Sequence, residues 1–80
     1  MAFLTRTDPT KKLRRFYLVR IVPTLFGEWS VVREWGRVGS PGTVRAISFE
    51  QQQEAQKAEQ RSIKRRLAHG YTERETGQSA

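Results

Sequence analysis

The stretch EWSVVREWGRVGSPGTVRAISF, residues 28–49, decides the fold. Its first part alternates. Trp29, Val31, Arg33, Trp35 and Arg37 fall on one side of an extended chain, with Ser30, Val32, Glu34 and Gly36 on the other. A period of two is the mark of a strand. GSPG at 39–42 breaks the run, because proline cannot donate to a ladder and glycine weakens one. TVRAISF then resumes as a short β-branched strand, so the segment reads as two antiparallel strands around a compact turn.

Upstream, RRFYLVRIVP is apolar at Tyr17, Val19 and Ile21 and again at Phe16, Leu18 and Val22. Apolar side chains on both faces predict a central strand covered on both sides, ending at Pro23. TLFG is a connector, with Gly27 suited to a turn. AFLTRT supplies a fourth strand and DPTKK the turn that follows it. Downstream, residues 49–70 hold strong helix formers without an internal glycine or proline, and Ser48 before Gln51 suggests a capping box. Ala55, Ala58, Ser62 and Ile63 form a narrow stripe of mostly small side chains for packing on a sheet. Lys57, Arg61 and Lys64 lie on the opposite, solvated face. Gly70 fits the position just past a helix end. The expected fold is α+β: a small antiparallel β-sheet of about four strands with one C-terminal α-helix packed across it. Residues 1–71 make the domain, and 72–80 a flexible tail.

At 80 residues the chain holds one domain at most. Its formal net charge is +7, and residues 1–49 carry nine basic and three acidic side chains. Such a balance is the electrostatic footprint of a nucleic-acid binder. With no cysteine, neither a disulfide framework nor a thiolate metal site is available. MAFLTRTDP lacks the apolar run of a signal peptide, and no segment is long and apolar enough to span a membrane. A cytoplasmic monomer is expected, nucleoid-associated if bacterial, with no membrane contact.

Catalytic chemistry finds little material. His69, the single histidine, sits at the predicted helix end, where an imidazolium complements the dipole. Glu28 and Glu34 share a strand face but stand about 20 Å apart at ~3.4 Å per residue, too far for a carboxylate pair. GSPG matches neither a nucleophile elbow nor a phosphate-binding loop. The expectation is a non-enzymatic protein without cofactor or metal.

A strand over 28–37 projects Arg33, Trp35 and Arg37 from one face in a row about 7 Å apart. Guanidinium forks match phosphate oxygens, and an indole can stack on a base or cover a sugar. Two readings stay open for Trp35: a surface platform, or a core side chain beside Trp29 and Val31. Arg45 and Arg20 sit on neighbouring strands and extend the patch. Lys11, Lys12, Arg14 and Arg15 crowd the turn before the second strand.

WGRVG, preceded by RRFYLVRI and followed by a short strand, an alanine-bearing helix and GY at 70–71, resembles the WGR domain. The likeness covers about residues 3–71, and REWGRVGSPGTVR is similar to the form found in short free-standing bacterial WGR proteins. The resemblance implies an antiparallel sheet with a helix across it. In poly(ADP-ribose) polymerases this module touches DNA ends and neighbouring domains. That precedent gives Trp35 the packing role at a terminal nucleotide and Arg37 a phosphate or interdomain contact. Basic residues at the helix end, here Lys64, Arg65 and Arg66, also lie near DNA in that family. Thr43 stands where many members have Gln, and nothing in the module implies catalysis. The expected function is nucleic-acid binding through a basic face with a stacking Trp35: DNA rather than RNA, with ends or nicks as candidate targets. The alternative is a protein–protein adaptor using the same face, and a third reading makes the charge incidental.

Overall fold

The computed structural model describes residues 1–74. Five strands and one helix follow in the order β1 (Ala2–Asp8), β2 (Leu13–Pro23), β3 (Trp29–Arg37), β4 (Thr43–Phe49), α1 (Gln52–Ala68) and β5 (Thr72–Arg74). The strands form one antiparallel sheet in the spatial order β4-β3-β2-β1-β5. The α+β arrangement matches the expectation, with one strand more. Thr72–Arg74, the first part of the expected tail, pair with β1 through Phe3↔Arg74, Leu4↔Glu73 and Thr5↔Thr72. The rest of that tail, 75–80, lies outside the described residues.

Register sets the two faces. Tyr17 lies opposite Leu4 and Trp35, and Val19 opposite Ala2 and Arg33. α1 packs on this face, where Ala2, Leu4, Tyr17, Val19, Val31, Ala55 and Tyr71 form the buried core. The small-residue stripe explains the close approach. Ala55 is fully buried, while Ala58 and Ile63 pack against the core from α1. Glu59 is buried as well, its Oε2 3.7 Å from the Met1 amino group.

β2 is the central strand, but it is covered on one side only. Phe16, Leu18 and Val22 face away from α1 and are half-buried. Their shelter is lateral, as in the stacked pair Phe3–Phe16 with centroids 6.5 Å apart. Much of any protein's surface is apolar, so apolarity on both faces of a strand does not require a second covering layer. The expectation of two covered faces is therefore corrected.

The turns are built locally. The Asp8 carboxylate accepts from the Thr10 N–H (3.1 Å) and the Thr10 hydroxyl (2.7 Å). The hydroxyl bond is the main reason its pKa is lowered from 3.8. Between β2 and β3, the Thr24 hydroxyl accepts from the N–H groups of Phe26 (3.2 Å) and Glu28 (3.1 Å). Leu25 and Phe26, at 99% and 88% exposure, stand clear of the core at this tip.

The helix begins without the expected capping box. Ser48 lies within β4, and the N-cap is Gln51, in extended conformation and without a side-chain hydrogen bond. The other end follows expectation. Gly70 takes a positive φ of 90°, the Gly70 N–H reaches the Leu67 carbonyl (3.2 Å), and the Tyr71 N–H reaches the Arg66 carbonyl (3.1 Å). These paired bonds reverse the chain and deliver Tyr71 to the core.

Gly42 separates from Gly39 by mechanism. A Cβ on Gly42 would lie 2.7 Å from the Trp35 carbonyl oxygen and 2.9 Å from the Phe16 ring, whereas one on Gly39 meets nothing within 4 Å. Gly42→Ala is expected to cost about 1–3 kcal/mol through overpacking. Gly39→Ala, strained only by its φ of 89°, is expected to cost about 1 kcal/mol. Paired denaturant melts check the order. Asp8 gives a pH signature. A carboxylate with a lowered folded pKa stabilises above 3.8 and loses that contribution as pH falls through the folded value. In melts between pH 5 and 2, Asp8→Asn is expected to flatten the acid-side decline.

Candidate nucleic-acid interface

The row predicted by alternation exists. Arg33, Trp35 and Arg37 all project from the face that α1 covers, and their strand partners extend the charge sideways. Arg37 pairs with Arg15, and Arg15 pairs with Arg6, giving three arginines in lateral register across β3, β2 and β1. Arg33 pairs with Arg45 in the same way. Like charges directly opposite one another cost about 0.2–1 kcal/mol per pair. Among the described residues the one ion pair joins Met1 to Glu59, and Arg6, which after the Thr10 hydroxyl helps hold the Asp8 carboxyl below its usual value, is the one arginine of these rows that acts on a described carboxylate. The acids on this face, Asp8 at the end of β1 and Glu73 on β5, stand at its margin, so the middle of the row is left positive.

α1 ends above this row and adds Arg66. Its guanidinium carbon sits 4.3 Å from the centroid of Tyr17, 5.7 Å from that of Tyr71 and 6.0 Å from that of Trp35. The Arg33 guanidinium carbon also lies 5.6 Å from the Trp35 centroid. Trp35 is itself half-buried, tilted at 32° against Tyr17 with centroids 6.3 Å apart. Both readings of Trp35 thus hold in part. It packs on the core and also lines an open cleft. Trp29 too is half-buried against the core.

That cleft has a volume of about 350 Å³. Arg15, Arg37 and Arg66 supply its charge, Trp35 and Tyr71 its aromatic surface, and Pro41 and Thr43 one rim. Gly36 is part of the lining, while the glycines that follow it serve the chain itself. Gly42 is filled by the protein's own chain, since it lies against Trp35 and Phe16, and is not an opening for a ligand. Gly39 lies in the turn with a positive φ.

The other sequence candidates divide by position. Arg65 and Arg33 line a neighbouring pocket that also includes Arg66, and Arg45 stands beside Arg33 on the same face. Arg14 and Arg20 point from the opposite face of the sheet, by the same alternation that puts Arg15 in the cleft. Lys11 and Lys12 are exposed in the β1–β2 turn, and Lys64 is exposed on α1 and lines neither the cleft nor the neighbouring pocket. Arg6 and Tyr71 are the residues that sequence reasoning missed as site candidates. The register of β1 against β2 was the signal that places Arg6 beside Arg15. Among the described residues no three of His, Asp or Glu gather as a metal site, and no helix is long and apolar enough to cross a membrane.

Arg66 joins α1 to the sheet through three rings. A partly desolvated cation–π contact is worth about 0.5–2 kcal/mol. Arg66→Ala is expected to lower stability by about 1–3 kcal/mol once lost stem packing is included. Arg66→Lys is expected to recover less than half, because an ammonium cannot stack as a guanidinium does. Thermal melts followed by tryptophan fluorescence in a Trp29→Phe background report both changes at Trp35.

Comparison with known sequences gives this geometry a family. The chain is 31% identical over 72 residues to y4dW, an uncharacterized protein of Sinorhizobium fredii. The match covers 90% of this chain and 35% of that relative, so the chain spans about a third of the length of the curated protein it matches. The WGR domain family profile matches residues 1–78. The Trp35–Gly36–Arg37 corner, with its glycine-turned exit and a helix closing over it, is the motif after which that family is named, and the chain belongs to the WGR domain family.

Proposed function

We propose that this domain is a non-enzymatic nucleic-acid-binding module that takes DNA in preference to RNA, with ends or nicks as its favoured targets. The observation that carries the reading is the cleft in which Arg15, Arg37 and Arg66 surround Trp35 and Tyr71 without a carboxylate among the lining residues. Guanidiniums hold phosphates through bidentate hydrogen bonds, and the exposed part of an indole covers a sugar or base. A chain end offers both groups together. In an intact duplex each base is stacked on two neighbours, which leaves no free face for Trp35. The resemblance to the WGR module of poly(ADP-ribose) polymerases, where Trp and Arg of the motif serve these roles, supports the same assignment for Trp35 and Arg37.

Arg33, Arg45 and Arg65 stand next to the cleft and extend the positive field along the backbone. Lys11, Lys12, Arg14, Arg20 and Lys64 act at longer range, steering the encounter and contributing less at close contact. Phosphate contacts position a protein and do not read sequence, so binding is expected to be indifferent to base composition.

Fluorescence anisotropy with blunt, nicked and single-stranded DNA and duplex RNA, taken across a salt series, tests the proposal. Three phosphate-bound arginines predict a slope of log K against log salt of about −2 to −3. Arg37→Ala is expected to flatten that slope by about one unit, and its exposed position leaves the fold intact. Trp35→Ala, checked for folding by circular dichroism, is expected to lose about tenfold or more on ended duplex. It should lose little on closed circular DNA in gel shifts. Absence of binding to every nucleic acid at low salt would overturn the reading in favour of the adaptor. Equal losses on ended and closed DNA would remove the preference for ends.

A further inference from the structure

A second pocket lies beside the cleft, between the C-terminal half of α1 and the β3–β4 edge of the sheet, with a volume of about 200 Å³. Four guanidiniums line it, from Arg33, Arg61, Arg65 and Arg66, and no carboxylate does. Its apolar surface comes from Val31, Ile47 and Phe49, with Tyr17 behind. Arg66 is shared with the Trp35 cleft, while the other three arginines do not line that cleft. Arg45 adds a further cation on the same face, directly across from Arg33.

The adjoining strand is open. β4 is the edge of the sheet, and among the described residues no strand pairs with its outer side. Six of its seven residues are exposed, including Val44 and Ile47 at about half exposure. An edge of that length presents a row of backbone donors and acceptors to any extended chain. Arg45 is its one charged residue, and it is positive.

We propose that β4 and this pocket together form a docking site for an extended acidic peptide segment of a protein partner, distinct from the nucleic-acid cleft. The peptide adds as a sixth strand along β4. Alternate side chains then fall on the face that carries Arg45, Arg61 and Arg65, and one apolar side chain reaches Ile47 and Phe49. Pocket size selects this occupant. Sites for free small molecules usually run to about 300–1,000 Å³, whereas this one suits a single anchoring side chain. The charge selects acids, because several unpaired guanidiniums on an apolar floor favour carboxylates over neutral chains. The backbone edge supplies affinity and the pocket supplies specificity, as in other strand-addition sites.

The test uses a fluorescein-labelled peptide of glutamates around a single phenylalanine. Its controls are a lysine counterpart and a version N-methylated at alternate backbone nitrogens. Anisotropy with the whole chain is expected to show binding of the glutamate peptide and none of the lysine one. The N-methylated peptide should lose at least tenfold, because it cannot complete the ladder. Arg61→Glu combined with Arg65→Glu, both exposed on α1, should also lose at least tenfold, while Arg37→Ala, exposed and lining only the Trp35 cleft, should bind as the parent does. Unchanged affinity for the N-methylated peptide would overturn strand addition. Lack of binding at low salt, or retained affinity in the double variant, would overturn the site altogether. Because Arg37→Ala is expected to affect DNA and not peptide, failure of this proposal and failure of the nucleic-acid reading are separable.

Discussion

The guanidinium of Arg66 over the ring of Tyr17 is the contact on which the working surface depends. Tyr17 sits at the middle of the central strand, opposite Leu4 on one side and Trp35 on the other. Arg66 lies in the last turn of α1, just before the reversal at Gly70. Holding the two together fixes where the helix ends above the sheet. That in turn sets the depth of the Trp35 cleft, the position of Tyr71 and the start of β5. A cation on this spot serves twice. It fills the space above three rings that an apolar side chain would otherwise occupy, and it leaves charge at the mouth of two neighbouring cavities.

Positive charge in this fold is concentrated by register more than by composition. Antiparallel pairing places Arg6, Arg15 and Arg37 side by side, and Arg33 beside Arg45, although these residues are scattered over forty positions of sequence. Such rows are unfavourable in isolation. They persist because the apolar core lies under the middle of the sheet, while the arginine stems cover its margin and keep their heads in water. The same economy limits the domain. One helix on one face gives a thin core, so close fits such as Gly42 against Trp35 and Phe16 carry an unusual share of the order.

Much of this was legible in the chain itself. Period-two alternation in residues 28–37 placed Arg33, Trp35 and Arg37 on one face, and the alanine stripe identified the packed side of α1. Gly70 marked the helix end. Other features depend on long-range geometry that a sequence does not carry. Arg66 reads as one basic residue among three, and only the crossing of α1 over β2 lifts it above Tyr17. Thr72–Arg74 are polar and too short to show a period, and their strand exists through backbone pairing with β1. Phe16, Leu18 and Val22 have the composition of buried residues yet lie on an uncovered face. Ser48 offered a helix cap, but the ladder of β4 against β3 claimed it first.

The pairing of β1 with β5 has a consequence for how such a domain can be carried. Phe3 and Arg74 are direct partners across the ladder, a separation of about 4.5–5.5 Å between α-carbons. The first and last strands of the described fold therefore lie side by side at one margin of the sheet, with β2 between them and β3. A host chain can accept the whole unit at a single surface position, as a branch on a short double stem, without parting its own ends. Mounted so, the domain would keep β3, with Trp35, two strands in from the stem.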